Sequence, residues 1–470
     1  MTVRVRYAPS PTGHLHIGSL KISLFNWLFA RHYGGVYLLR IEDTDLERSR
    51  PEYVSSILES LAWAGLQPDE TPVIQSDRAE IHRNEAQKLI DEDKAYKCYC
   101  TQEELAERLG ASAQAGGYTK YDGHCRTIVS SDKPFAIRFK IQDDVEFVEF
   151  NDLIRGVIRV DRDQLDDFII VRSDGTSMYN FVVVVDDAFM KISHVLRGED
   201  HISNTPKQIL LYNSLGYSVP EFAHISVILG PDGQKLSKRH MATSVIDFKK
   251  QGYLADALCN YLVRLGWSHG DQEIFTREEL IEYFDLDHMS KAGAIFDQQK
   301  LAWMNSVYLK EFSTEDICSL IIRDVDPEFY NHITNWSKIT LLAMVGLYKE
   351  RVKTLKELED ELRELHERPR EFNVDIHDFK QQSVIDNLER VMQELTRLSD
   401  HSHESIDRLL KTICKEKNIS LRDIGQPLRV ALTGKTSSPG VAQLIALLLV
   451  EESIQRIEYF LKHLRRSMKH

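Results

Sequence analysis

The ten residues Pro9-Ser10-Pro11-Thr12-Gly13-His14-Leu15-His16-Ile17-Gly18 join a short alternating run to a helical one, and this junction constrains the fold more than any other stretch. Before them, Val3-Arg4-Val5-Arg6-Tyr7 alternates as a buried strand does. After them, Leu20, Leu24, Phe25, Leu28 and Phe29 recur at helical spacing over 19–32. A strand, a tight loop and a helix N-terminus aim backbone N–H groups and the positive end of a helix dipole at one point, a natural seat for phosphate. Gly13 and Gly18 permit close approach there, and the imidazoles of His14 and His16 donate to phosphate oxygens without a fixed charge. Standing alone, the stretch also reads as a turn with two surface histidines.

Far downstream, Gly230-Pro231-Asp232-Gly233-Gln234 reads as a turn and leads into Lys235-Leu236-Ser237-Lys238-Arg239. Three cations around a serine on a loop suit a clamp on a polyphosphate. The run 36–41 is a second apolar strand that ends in Glu42, Asp43 and Asp45, and Pro51 opens a helix reaching about residue 64. Such strand–helix–strand units build a doubly wound sheet whose ligands sit beyond the C-terminal strand ends. The histidine loop and Glu42 both lie at such ends.

A chain of 470 residues exceeds what one core holds, so several domains follow. From about residue 80 the texture changes. A helix over 81–91 leads to Cys98-Tyr99-Cys100, a Gly/Ala/Ser stretch and Tyr121-Asp122-Gly123-His124-Cys125-Arg126. Alternating runs over 135–141, 145–150 and 154–160 then suggest an inserted antiparallel domain. Apolar runs over 168–171, 181–185 and 195–196 read as the sheet resuming; a helix over 205–215 and a strand over 222–229 deliver the lysine loop. Helical patterns over 254–265 and 277–284 suggest a connector. Beyond 314 the chain is helical by pattern, as over 355–366 and 384–400.

The expected fold is therefore an α/β Rossmann-type core, split between 1–80 and 181–244, with an inserted α+β domain over 81–180. A helical connector over 245–320 and all-α C-terminal domains over 321–470 follow, with a break near 375.

A formal charge of −13 argues against a general polyanion or DNA binder, though local basic patches still serve an RNA partner. No apolar run is long enough to span a bilayer and no signal-like segment opens the chain, so a cytoplasmic protein without a membrane partner is expected. The six cysteines are scattered and read as reduced. Cys98, Cys100 and Cys125 form a metal-like group, three thiolates that want a fourth ligand for tetrahedral zinc. The rival reading is three reduced cysteines in a small domain.

His16-Ile17-Gly18-Ser19 and Lys235-Leu236-Ser237-Lys238-Arg239, in this order, resemble the paired signatures of class I aminoacyl-tRNA synthetases. The departures (Ser19, Leu236 and Arg239) are those of the glutamyl/glutaminyl branch. Arg40-Ile41-Glu42-Asp43-Thr44-Asp45, Arg197-Gly198-Glu199-Asp200-His201 and Gly266-Trp267-Ser268 extend the resemblance to bacterial glutamyl-tRNA synthetases over essentially the whole chain. The resemblance implies ligation of L-glutamate to its tRNA through a glutamyl adenylate, with ATP and Mg²⁺, by a monomer. Its rivals are an enzyme that also charges the glutamine tRNA, a glutaminyl enzyme and a non-catalytic RNA-binding paralogue.

It further implies catalytic roles for His16, Lys235 and Lys238, and an ATP site of His14, His16, Gly18, Lys235, Ser237 and Lys238. Glutamate would meet Arg6, Ala8, Ser10, Glu42, Tyr179, Asn180 and Arg197. Arg351 aligns with an arginine that reads the third anticodon base, although its sequence context is that of a surface helix arginine. Some relatives carry a zinc-ligating histidine where this chain has Thr127; Tyr121, at a spacing known in a shortened paralogue family, or His124 would then complete Cys98, Cys100 and Cys125.

Overall fold

Strand β1 (Arg4–Tyr7) feeds helix α1 (Ile17–His32), which returns the chain to β2 (Val36–Ile41); α2 (Pro51–Trp63) then leads to β3 (Val73–Ile74). The three strands pair in parallel, Arg4 opposite Val36 and Arg40 opposite Val73. This structure, a computed structural model, describes residues 2–45, 47–114, 120–128, 132–237, 239, 244–333, 336–369, 372 and 379–468. Lys238 and the break anticipated near 375 lie outside the described residues.

After α3 (Ala79–Asp91), β4 (Ala95–Cys98) and α4 (Gln102–Gln114), the strands β5 (Ala136–Phe139), β6 (Phe147–Asp152), β7 (Gly156–Asp161) and β8 (Ile169–Val171) follow. β4, β5 and β8 form one antiparallel sheet. β6 and β7 form a hairpin that leaves it and extends a parallel pair, β9 (His194–Gly198) and β10 (Glu221–Ile225), through a single register point, Asp152 opposite Phe222. β9 begins beside β1, where Ser193 N–H donates to Arg4 O at 2.9 Å. The chain between the two halves of the sheet thus contributes a strand to the sheet itself.

The run 181–185 is not a strand. It lies in helix α5 (Tyr179–Phe189), between β8 and β9, with every residue from Phe181 to Val185 at most 1 % exposed. Its β-branched residues and full burial mimic an interior strand, and periodicity cannot separate the two for so short a run. Helix α6 (Thr205–Leu215) falls where expected, while the run 222–229 breaks into β10 and β11 (Ile228–Leu229).

Beyond the lysine loop come α7 (Val245–Lys250), α8 (Ala255–Arg264), α9 (Arg277–Tyr283), β12 (Ala294–Ile295) and α10 (Gln298–Glu311). The chain divides into two compact units, Met1–Phe248 with Ala255–Leu301, and Lys249–Leu254 with Ala302–His470. Among the described residues the second unit is built from helices, including α11 (Thr314–Asp324), α12 (Phe329–His332), α13 (Lys338–Tyr348), α14 (Leu355–His366), α15 (Gln382–Arg397), α16 (His403–Lys417), α17 (Leu421–Thr433), α18 (Val441–Leu448) and α19 (Val450–Ser467). The buried Arg456 of α19 ties two of them by donating to Leu365 O and Leu432 O, carbonyls in the last turns of α14 and α17. No described helix is long and apolar enough to cross a membrane.

Candidate active site

Parallel strands direct their C-terminal ends to one edge, and the loops leaving β1, β2, β9 and β10 meet there around a cleft of about 480 Å³. Tyr7 and Ala8 line it from β1, Glu42 from β2, Gly198 and Asp200 from β9, and Ser226 and Val227 from β10. Ser10, His14, His16 and Gly18 line it from the histidine loop, and Lys235 and Leu236 from the lysine loop.

The histidine loop is joined directly to the start of α7, more than two hundred residues downstream. His16 forms an antiparallel bridge with Ser244, and Val245 N–H donates to Leu15 O at 2.9 Å. The turn before the lysines closes through Gly230 N–H to Gln234 O at 2.7 Å, with Gly233 at φ 74°, a left-handed conformation that suits glycine. Lys235 Nζ sits 2.8 Å from Asp200 Oδ2 at the cleft mouth. Ser237 does not line the cleft.

His16 is the N-cap of α1, with extended backbone and its Nδ1 accepting Gly18 N–H at 3.0 Å. That bond places the neutral ring's proton on Nε2, a donor for an anion at the helix N-terminus. His14 turns the other way, its Nδ1 2.9 Å from Ser56 Oγ. A Cβ on Gly18 would stand 3.3 Å from His16 Nδ1. Gly18→Ala is therefore expected to tilt the imidazole, weakening polyphosphate binding about tenfold while shifting stability by less than about 1 kcal/mol; titration with a polyphosphate beside thermal melting checks this.

Under the cleft lies a buried charge network. Arg6 Nε donates to Asp187 Oδ1 at 3.0 Å, and Arg40 donates to the same oxygen at 2.6 Å and to Glu42 Oε1 at 2.9 Å. Arg6 and Glu42 are 4 % and 6 % exposed, and both line the cleft. Burial holds the Glu42 carboxyl above its ordinary range, opposed by Arg40, whereas Arg6 and Arg40 outweigh burial at Asp187 and hold it low.

Arg197 differs. Among the described residues it has no carboxylate partner; its guanidinium donates to His224 Nε2, Gln208 Oε1, His201 O and Thr205 Oγ1, all neutral. A guanidinium only 5 % exposed, with polar partners but no counter-charge, is poised for an anion. Tyr179 shares this wall, its hydroxyl 3.1 Å from His201 Nδ1 and pushed up to about 12 by burial. Burial and Arg197 push His201 down to about 4. Asn180 does not line the cleft; it accepts from Gln208 Nε2 at 3.2 Å and so supports the group that supports Arg197.

Sequence reasoning overlooked Lys21, buried in α1, whose Nζ donates to Ser226 O at 3.0 Å and Leu265 O at 3.3 Å. Burial pulls its ammonium down to about 8. The available signal was a lysine beside Leu20 within an otherwise apolar helical run. Asp187, Arg40 and His224 were also missed, because nothing local marks a buried polar residue in a strand or an apolar helix; the exposed Asp200 was missed as a partner of Lys235 because the two lie far apart along the chain.

In the inserted segment the thiols of Cys98, Cys100 and Cys125 lie within 4.8 Å of one another. The Tyr121 hydroxyl stands 3.7 Å from two of them and accepts Cys125 N–H at 2.9 Å. His124 is exposed and outside the cluster. Burial raises and the Cys100 N–H and Arg138 guanidinium more than offset the Cys98 thiol, which ends below its ordinary value. Three soft sulfurs with an oxygen donor beside them form a set that suits tetrahedral zinc.

The second unit carries its own cleft, about 930 Å³, lined by Tyr348, Arg351, Arg368, Lys435 and Ser437 among others. Lys435 is paired with Glu361 and Glu364, and Arg368 with Glu452. Arg351 instead reaches the Ser437 hydroxyl at 3.4 Å and, among the described residues, no carboxylate.

The family model for the catalytic domain of class I tRNA synthetases (E and Q) matches residues 2–303, and that for an anticodon binding domain matches 322–461. A glutamate–tRNA ligase of Thermodesulfovibrio yellowstonii is 46 % identical over 464 residues, 97 % of this chain and 98 % of that one. One of Geobacter sulfurreducens is 43 % identical over 465 residues, 97 % of each chain. The crystal structure of a glutamate tRNA ligase from Elizabethkingia meningosepticum in complex with its amino acid superposes with a TM-score of 0.88 at 32 % identity, covering 99 % of this chain and all of that one.

Proposed function

This chain belongs to the class I tRNA synthetases of the glutamate and glutamine type, and from that membership we infer that it is a glutamate–tRNA ligase, joining L-glutamate to the 3′ end of its tRNA with conversion of ATP to AMP and pyrophosphate. The observation that carries the site assignment is the meeting of the histidine and lysine loops on one cleft whose inner wall holds Arg197 without a counter-charge.

The reaction requires a substrate carboxylate to attack the α-phosphate and expel pyrophosphate, so positioning and charge neutralisation do most of the work. His16 Nε2 and the first N–H groups of α1 cradle phosphate oxygens; Lys235 and Lys238, with Mg²⁺ carried on the ATP, offset charge on the leaving pyrophosphate. Gly18 admits the phosphate, and His14 completes this side, with Ser237 outside the cleft on the loop that carries Lys235. Arg197 and Arg6 receive the side-chain carboxylate, Glu42 receives the α-ammonium, and Ala8, Ser10 and Tyr179 shape the pocket, with Asn180 behind it. The depressed Asp187 carboxylate keeps Arg6 oriented.

The segment 81–180 serves the tRNA acceptor end, 245–320 contacts the stem and 321–470 the anticodon, where Arg351 presents its fork to a base edge. When bound, zinc would be held by Cys98, Cys100, Cys125 and Tyr121 and would stiffen the inserted segment. Metal analysis of protein purified without added zinc is expected to find about one zinc per chain, lost in Cys125→Ser together with tRNA affinity but not ATP affinity. The enzyme acts as a cytoplasmic monomer.

Charging purified glutamate and glutamine tRNAs with each amino acid tests the reading. Glutamate on its own tRNA alone is expected; glutamate on both tRNAs would point to the relaxed enzyme, and glutamine transfer would overturn the assignment. Lys238→Ala is expected to lower activation by two orders of magnitude or so while tRNA affinity stays near that of the parent. A non-catalytic paralogue has no need of His16, Lys235 and Lys238 together.

A further inference from the structure

Arg197 takes its orientation from a histidine, and that histidine from the inserted hairpin. Its Nε donates to His224 Nε2 at 3.1 Å, which requires a bare lone pair on that nitrogen. His224 Nδ1 lies 2.6 Å from Asp152 Oδ2, so the carboxylate holds the ring's proton on Nδ1. Thr205 Oγ1, which accepts from Arg197, stands 3.2 Å from the same Nε2. His224 and Asp152 are 0 % and 1 % exposed.

Asp152 is itself fixed. It is the last residue of β6 and the one point where the hairpin pairs with β10. Its Oδ1 accepts the N–H groups of Ile154 and Arg155 at 3.0 and 2.8 Å, closing the hairpin turn, while Oδ2 accepts His224 N–H at 3.0 Å. The negative charge therefore stands one residue removed from Arg197. It sets direction through the imidazole and leaves the guanidinium without a salt bridge.

We propose that Asp152 and His224 form a positioning relay through which the inserted hairpin orients Arg197 for the substrate's side-chain carboxylate. The proposal rests on the glutamate reading above. Neither relay residue touches substrate; both act through Arg197.

The test is Asp152→Asn. The amide keeps an oxygen for the turn but presents an N–H₂ to His224 Nδ1. The ring's proton must then move to Nε2, where it meets the Arg197 Nε–H donor to donor. The glutamate KM in tRNA-supported pyrophosphate exchange is expected to rise about tenfold or more with the ATP KM close to the parent's, while the melting temperature falls by a few degrees because the amide also meets the His224 backbone N–H. Nitrogen-15 spectra of histidine-labelled protein should show the His224 proton moving from Nδ1 to Nε2. His224→Gln, whose oxygen can still accept from Arg197, should fall between parent and Asp152→Asn.

The relay also predicts a pH profile. The groups facing His224 are Asp152, Arg155, Arg197 and His201. Burial holds His224 below the ordinary histidine value, so the glutamate KM should stay flat through neutrality. It should climb only on the acid side, as protonation of Nε2 removes the acceptor. An unchanged glutamate KM in Asp152→Asn, or an equal rise in the ATP KM, overturns the relay. If the parent enzyme activates an amino acid other than glutamate, it is the underlying assignment that fails, whatever the variants do.

Discussion

Alanine at His16 is expected to slow glutamate-dependent pyrophosphate exchange by about 10²–10³-fold. The imidazole does two jobs. As N-cap it accepts Gly18 N–H through Nδ1, and that bond keeps the proton on Nε2, facing the phosphate cradle proposed here. Losing a capping side chain costs only about 1 kcal/mol of stability, so the melting temperature should fall by a few degrees at most. The missing donor acts on the transition state, where charge shifts onto phosphate oxygens in a partly dry cleft. His16→Asn separates the two jobs, because its short amide can still cap the helix but cannot span the ring's width. It should melt like the parent and exchange like the alanine variant. Parental exchange rates in the asparagine variant would remove His16 from the chemistry and leave it a cap.

Arg197→Gln should produce the second large effect, a fall of about 10²–10³-fold in kcat/KM for glutamate. The argument is the set of neutral partners around this guanidinium. Arg40, by contrast, is matched by Asp187 and Glu42. Removing Arg197 leaves the proposed substrate carboxylate with only Arg6, whose charge is already met by Asp187, and with the neutral His224, Gln208 and Thr205, a deficit of about 3 kcal/mol or more. Arg197→Lys should recover little, since an ammonium cannot make the four divergent bonds that hold this fork. Titrating glutamate at saturating ATP reads the effect. A loss confined to the ATP KM would place Arg197 outside the glutamate pocket.

Local pattern disclosed the histidine loop, the lysine loop and the strand ends that bear them, because each rests on residues close in sequence. The helix 355–366 was legible for the same reason: a hydrophobic stripe at helical period has few other readings. The run 181–185 was not, since an apolar stretch buried on all sides carries no period to read. The resemblance made Arg6 a substrate contact; in the fold it is paired with Asp187 and lines the cleft at once. What distinguishes Arg197 from Arg40 is that, among the described residues, no carboxylate bonds to it, and no sequence window reports that. The Asp152–His224 contact depends on one register point between strands separated by helices and a second sheet. Nothing in either residue's neighbourhood along the chain hints at the other.

The bridge between His16 and Ser244 carries a consequence for biosynthesis. A nascent chain that has emerged only through Ser226 owns every pocket residue up to that point yet lacks Lys235 and the Ser244 and Val245 partners of the histidine loop. Such a half-made enzyme has no use for nucleotide until about residue 245 leaves the ribosome, so truncated products of interrupted translation should be inert rather than wasteful.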